Sequence, residues 1–135
     1  FAGLQMRPGA RSWTTDVCVP ISHLAECIRE ARADCAAHGV LAPLVGHVGD
    51  GNFHMLLLVD ATDAAGLDAA KAVNDRLVER AIRCGGTCTG EHGIGVGKIG
   101  SLAKQHGDLL PLMREIKRVF DPANLMNPGK IFAAG

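Results

Sequence analysis

The sequence lacks most of what marks a specialised surface. Its 14 basic and 14 acidic residues cancel, and no basic run occurs anywhere in the 135 residues. This removes the electrostatic footprint of a nucleic-acid binder. No stretch approaches the roughly 20 apolar residues of a membrane-spanning helix. The longest apolar run, Phe53 to Val59 interrupted only by His54, has the length of a strand. The five cysteines, Cys18, Cys27, Cys35, Cys84 and Cys88, are odd in number and have no CxxC spacing. That argues against a disulfide framework and for a reducing, cytoplasmic setting, with a mitochondrial or membrane-peripheral placement depending on the source. Each thiol reads first as a small buried hydrophobe. Repeats and low-complexity tracts are missing, as are an initiating Met and a signal-peptide pattern in "FAGLQMRPGARSW". Starting on Phe1, the chain is expected to be the visible end of something longer. What remains is 47% hydrophobic, enough to give a chain of this length one domain with a real core.

The pattern along the chain alternates strand and helix. "WTTDVCVPI" (13–21) is β-branched and alternating, and reads as a strand. Ser22 is placed to cap a helix in which Leu24, Cys27, Ile28, Ala31 and Cys35 recur at helical spacing, with Gly39 at its stop. "VLAPLVGHV" and "NFHMLLLVD" read as two strands around Asp50-Gly51. A second helix carries the stripe Leu67, Ala70, Val73, Leu77, Ala81 and Ile82 and ends at Gly85-Gly86. Thr87–Thr89 reads as a short strand before "GEHGIGVGK". The rest is mostly helical, with Pro111 in a first turn and Asp121-Pro122 at the close. The order β-α-β-β-α-β plus C-terminal helices predicts an α+β, ferredoxin-like antiparallel sheet with its helices on one face. Both faces of Phe53–Val59 are largely apolar, so the second face is expected to meet a further domain or a second subunit.

The stretch "GHVGDGNFH" holds two histidines seven residues apart. If Asp50-Gly51 is a two-residue type I′ loop, His47 falls directly opposite His54, with Cβ atoms roughly 4.5–5.5 Å apart on one face. Two rings so placed can converge on one metal ion. The plainer reading is a pair of half-buried histidines, one bonded to a carbonyl and one in water. "TGEHGIGVGK" supplies further donors. Neighbours in an extended segment point to opposite sides, so Glu91 is expected to join His47 and His54 while His92 stays off the ion as a general base. Two histidines and a carboxylate leave a coordination position open, as in a catalytic site. The alternative for Glu91-His92 is a polar pair near a turn. Gly95-x-Gly97-x-x-Gly100 lacks the preceding strand and acidic partner of a dinucleotide fold, and Gly97-Lys98-Ile99 lacks the Ser/Thr of a phosphate loop. Nothing in the spacing of Cys84 and Cys88 favours a structural zinc site, and His23, His38 and His106 read as solvent-facing.

Taken together, "GHVGDGNFH", "GEHGIGVGK" and "FDPANLMNPGKIF" resemble the C-terminal portion of the FAD-linked 2-hydroxy-acid dehydrogenases and oxidases. The nearest branches are the cytochrome-linked D-lactate dehydrogenases and the glycolate oxidase flavin subunit. The resemblance runs from "RPGARSWTTDVCVPIS" to Phe132. It implies that residues 1–135 form a cap domain beside an FAD-binding domain lying outside this chain. It also implies that His47, His54 and Glu91 bind a divalent ion, generally zinc, that His92 is the catalytic base, and that Asn127 and Lys130 of "NPGK" approach the flavin. The substrate implied is a small D-2-hydroxy acid, oxidised to the 2-oxo acid with electrons leaving through the flavin to a further acceptor. Hydroxyglutarate-type relatives tend to carry a basic residue where Thr14 stands, which favours a small monocarboxylate. The arginine that clamps the carboxylate is expected before Phe1, with Arg7 and Arg11 as weaker candidates. Two rival classes stand beside this one: a non-catalytic ferredoxin-like module that binds a metal or a small acid, and a dimerisation domain whose histidines are incidental. Two histidines and a carboxylate suit iron or manganese as well as zinc.

Overall fold

In a computed structural model, residues 5–133 are described, so residues 1–4 of the opening segment lie outside that range. The chain divides into two compact units, residues 1–91 and 92–135. The first unit holds the antiparallel sheet: β1 (Arg11–Thr14), β2 (Val17–Cys18), β3 (Leu44–His47) and β4 (Asn52–Val59), with α1 (Ile21–Ala37) and α2 (Ala64–Arg83). β4 is central. It pairs with β1 and β2 on one side and with β3 on the other, all antiparallel. Thr87 adds an isolated bridge to Cys18. The strand expected at Thr87–Thr89 is thus reduced to one bridge, at the edge position where the last strand of the expected ferredoxin-like order belongs. The α+β, antiparallel architecture is as the sequence predicts.

One strand was expected over 13–21, and the chain forms two. β1 and β2 keep the same register on β4, Thr14 opposite Leu56 and Val17 opposite Phe53, but the ladder is interrupted between them. At the break the Thr15 amide still donates to the Met55 carbonyl (3.0 Å), whereas the Met55 amide donates to the Thr15 hydroxyl oxygen (2.9 Å). The Thr15 carbonyl is thereby turned elsewhere. Pro20 then ends the extended run, and α1 starts at Ile21 with no side-chain cap, so Ser22 does not cap it.

The core is built by parity. Phe53, Met55 and Leu57, on one face of β4, are fully buried with Val17. The stripes Leu24, Cys27, Ala31, Cys35 on α1 and Ala70, Val73, Leu77, Ala81 on α2 are buried too. The two helices pack side by side, and Arg76 bridges them by bonding both oxygens of Asp34 (2.8 and 3.1 Å). α2 is capped by the Asp63 carboxylate, which accepts from the Gly66 amide (3.0 Å). The other face of β4 is not open along its length: Asn52, His54 and Leu58 are also buried.

The second unit holds α3 (Ile99–His106) and α4 (Leu110–Phe120), and the tail follows. The Asp121 carboxylate accepts from the amides of Leu125 (2.8 Å) and Met126 (2.9 Å) and pairs with Lys117. The Ile131 amide bonds the Gly95 carbonyl at 2.7 Å, and Arg114 lies over the Phe132 ring.

Candidate functional site

The link between β3 and β4 is not the two-residue loop expected. Val48–Asp50 curl into a 3₁₀ turn, Gly51 follows with φ +76°, and the register puts His47 opposite Asn52 and Val45 opposite His54. Gly51 is required here twice over, by its left-handed conformation and because a Cβ would fall on the Val19 carbonyl oxygen. The predicted direct opposition of the two histidines is therefore wrong by two residues. Side chains alternate with period two, so a shift of two leaves both rings on one face as diagonal neighbours.

Glu91 completes the group. Its Oε1 lies 3.0 Å from His54 Nε2 and its Oε2 lies 3.8 Å from His47 Nε2. The histidines differ in setting: the His54 side chain is 6% exposed and that of His47 66%. His54 Nδ1 is 2.9 Å from the carbonyl that the strand break turns aside, that of Thr15. A carbonyl only accepts, so Nδ1 carries a proton and donates. Nε2 faces the Glu91 carboxylate.

Sequence reasoning missed one residue of this site. Asp16, at the interruption between β1 and β2, is 2% exposed. Its Oδ1 accepts from Asn52 Nδ2 and from the Glu91 amide, both at 3.2 Å. Its Oδ2 accepts from the Thr89 hydroxyl at 2.7 Å and the Gly90 amide at 3.0 Å. Oδ1 also lies 3.7 Å from His54 Nδ1. A charged residue inside an alternating strand was the available signal. The approach is close enough that a Cβ on Gly90 would fall inside the Asn52 amide, which explains the glycine before Glu91. Asn52 Oδ1 is buried and has no hydrogen-bond partner.

His92 is exposed and follows Glu91 as the first residue of the second unit. Asn127 has φ +48°, and its carbonyl accepts from the Lys130 amide at 3.2 Å. Both side chains border an apolar groove of about 420 Å³ with Met113, Ile116, Phe120 and Ile131. Arg7 donates to the Leu58 carbonyl (3.3 Å), and Arg11 pairs with Val59, whose parity is opposite to that of His54. Neither arginine joins the histidines. His23 and His38 are exposed, and His106 is half-buried.

The chain is 46% identical over 132 residues to a protein of Danio rerio described as a probable mitochondrial D-lactate dehydrogenase, covering 97% of this chain and 27% of that one. It is 42% identical to a mitochondrial D-lactate dehydrogenase [cytochrome] of Arabidopsis thaliana, covering 97% and 23%. The chain thus spans about a quarter of the length of these relatives. Among solved structures, 4-ethylphenol oxidase from Gulosibacter chungangensis matches with a TM-score of 0.67 at 18% identity, over 97% of this chain and 26% of that one. That likeness is one of fold. The family described as FAD linked oxidases, C-terminal domain, matches residues 1–131. With nearly every residue inside that match, from the strand break that carries Asp16 to the tail at Lys130, this chain belongs to the C-terminal domains of the FAD linked oxidases.

Proposed function

We propose that this chain is the substrate- and metal-binding portion of an FAD-dependent dehydrogenase that oxidises a small D-2-hydroxy acid of the D-lactate type to its 2-oxo acid. The observation that carries the reading is the meeting of His47 Nε2, His54 Nε2 and both oxygens of Glu91. Two imidazole nitrogens and one carboxylate are donor types that suit a divalent ion. Such an ion, zinc in the first instance, supplies Lewis-acid polarisation of a hydroxyl, and FAD supplies the two-electron acceptor. His54 is held for ligation by its Nδ1–H bond to the Thr15 carbonyl, the outer-shell contact that fixes tautomer and ring direction. His92 takes the substrate hydroxyl proton as general base. Asn127 and Lys130 hold the cofactor from the second unit. The FAD-binding domain lies in the part of the protein outside this chain.

Substrate size follows from the strand register. Thr14 pairs with Leu56, two residues along from His54 and on the same face. Neither carries a cation to receive a second carboxylate, which supports a monocarboxylate over a dicarboxylate. The names of the relatives support a mitochondrial setting.

The test separates ligand from base in the full-length protein. His54→Ala is expected to lose bound metal and turnover together. His92→Ala is expected to keep its metal while turnover with D-lactate falls by about 10²- to 10⁴-fold. Elemental analysis and steady-state rates decide. Wild-type protein without stoichiometric metal, or a His92→Ala enzyme near full rate, sinks the corresponding assignment.

A further inference from the structure

Asp16 is the most deeply committed charge in the first unit, and no role above uses it. Its two oxygens accept from Asn52 Nδ2, the Thr89 hydroxyl and the amides of Gly90 and Glu91. The origin of these donors is informative. Three of them belong to the consecutive residues Thr89, Gly90 and Glu91, more than 70 positions away in sequence. The fourth belongs to Asn52, which opens β4 two residues before His54. One buried carboxylate therefore ties the segment that ends in Glu91 to the strand that carries His54. The hydrogen bond to the Glu91 amide fixes the backbone of the residue whose side chain spans the two imidazoles. Gly90 is what lets that segment come close enough, because any Cβ there would overlap the Asn52 amide.

We propose that Asp16 is the positioning residue of the site: its carboxylate pins Thr89–Glu91 against β4 so that the Glu91 carboxylate reaches His47 and His54 together. The inference rests on the proposed reading of those three residues as metal ligands. It adds that their convergence is set by a buried carboxylate clamp. An outer-shell partner of this kind is typically worth about 10- to 100-fold in metal affinity.

The test uses the full-length protein with zinc as the probe. Asp16→Asn keeps the volume but replaces one acceptor oxygen by a donor. It is expected to weaken zinc binding, measured by chelator competition, by about 10- to 100-fold. In metal-free protein it is also expected to speed hydrogen exchange at the Gly90 and Glu91 amides by about tenfold, the equivalent of one lost charge-assisted bond. Thr89→Val is nearly isosteric, removes a single donor and keeps the test open if Asp16→Asn does not fold; a smaller shift in the same two readouts is expected. A variant that only melts earlier, with zinc affinity and these two amides unchanged, overturns the proposal. Failure of the metal reading looks different. There wild-type protein takes up no zinc and Glu91→Gln changes nothing in zinc titrations, while accelerated exchange in metal-free Asp16→Asn still supports the clamp and unchanged exchange refutes it.

Discussion

Cys27 shows what burial does to one side chain. Its thiol is fully enclosed between the helices, and burial pushes its pKa from the ordinary 9.0 up to about 11, with Arg80 opposing and Cys84 and Glu30 adding to the rise. The folded protein therefore holds this proton more tightly than the unfolded chain does. Stability from this group is complete below pH 9 and is lost as pH rises through 11. The chain contains no tyrosine, so one common source of alkaline titration is missing. Urea midpoints of wild type and Cys27→Ala followed between pH 8 and 11 are expected to converge, because the variant lacks this loss. The convergence should be on the order of 2 kcal/mol. Parallel curves refute the assignment. At this scale the sequence was informative for Cys27, Cys35 and Cys88, all buried as small hydrophobes. It was uninformative for Asp16, whose donors are distant in the chain and collect only when the sheet forms.

At the scale of elements, the interruption between β1 and β2 does more for the site than a continuous strand would. In an unbroken ladder the Thr15 carbonyl would face Met55. Here the Thr15 hydroxyl receives the Met55 amide and the carbonyl is released to His54. Thr15→Val keeps the shape and removes that acceptor, leaving a buried amide unbonded at a cost of about 1–3 kcal/mol. Chemical denaturation is expected to show that loss, with bound metal retained because the carbonyl on His54 is untouched. An unchanged midpoint would mean that another group satisfies the Met55 amide. Both long helices were legible beforehand, since apolar spacing over 17 and 20 residues leaves little choice of face. The hairpin was half legible. Asp50-Gly51 reads as a tight two-residue loop, but Gly51 must also clear the Val19 carbonyl, and the chain spends Val48–Asp50 on a 3₁₀ turn. The resulting error of two residues kept side-chain parity, so His47 and His54 still share a face although the register expected for them was wrong. An error of one residue would have separated the rings.

For the molecule as a whole, the question is where the electrons of the substrate go. Oxidising a 2-hydroxy acid removes a proton from oxygen and an electron pair with the α-hydrogen from carbon. In the proposed reading His92 is the base for the first, and His47, His54 and Glu91 anchor the alcohol. An unmodified protein side chain of this set does not take up the electron pair, which is the task of a cofactor. The chain spans about a quarter of its relatives, and the flavin domain we propose lies in the remainder. Two preparations are therefore expected to behave differently with D-lactate under anaerobic conditions. The full-length protein should carry oxidised flavin whose visible absorbance bleaches on adding substrate. The same protein stripped by a chelator should keep its flavin but bleach far more slowly, and added zinc should restore the rate. Residues 1–135 expressed alone should show neither flavin absorbance nor turnover. Bleaching at full speed in stripped protein would remove the ion from the chemistry and leave the histidine–glutamate group a structural role. Full-length protein that binds no flavin would remove the dehydrogenase reading and leave the ligand-binding module in its place.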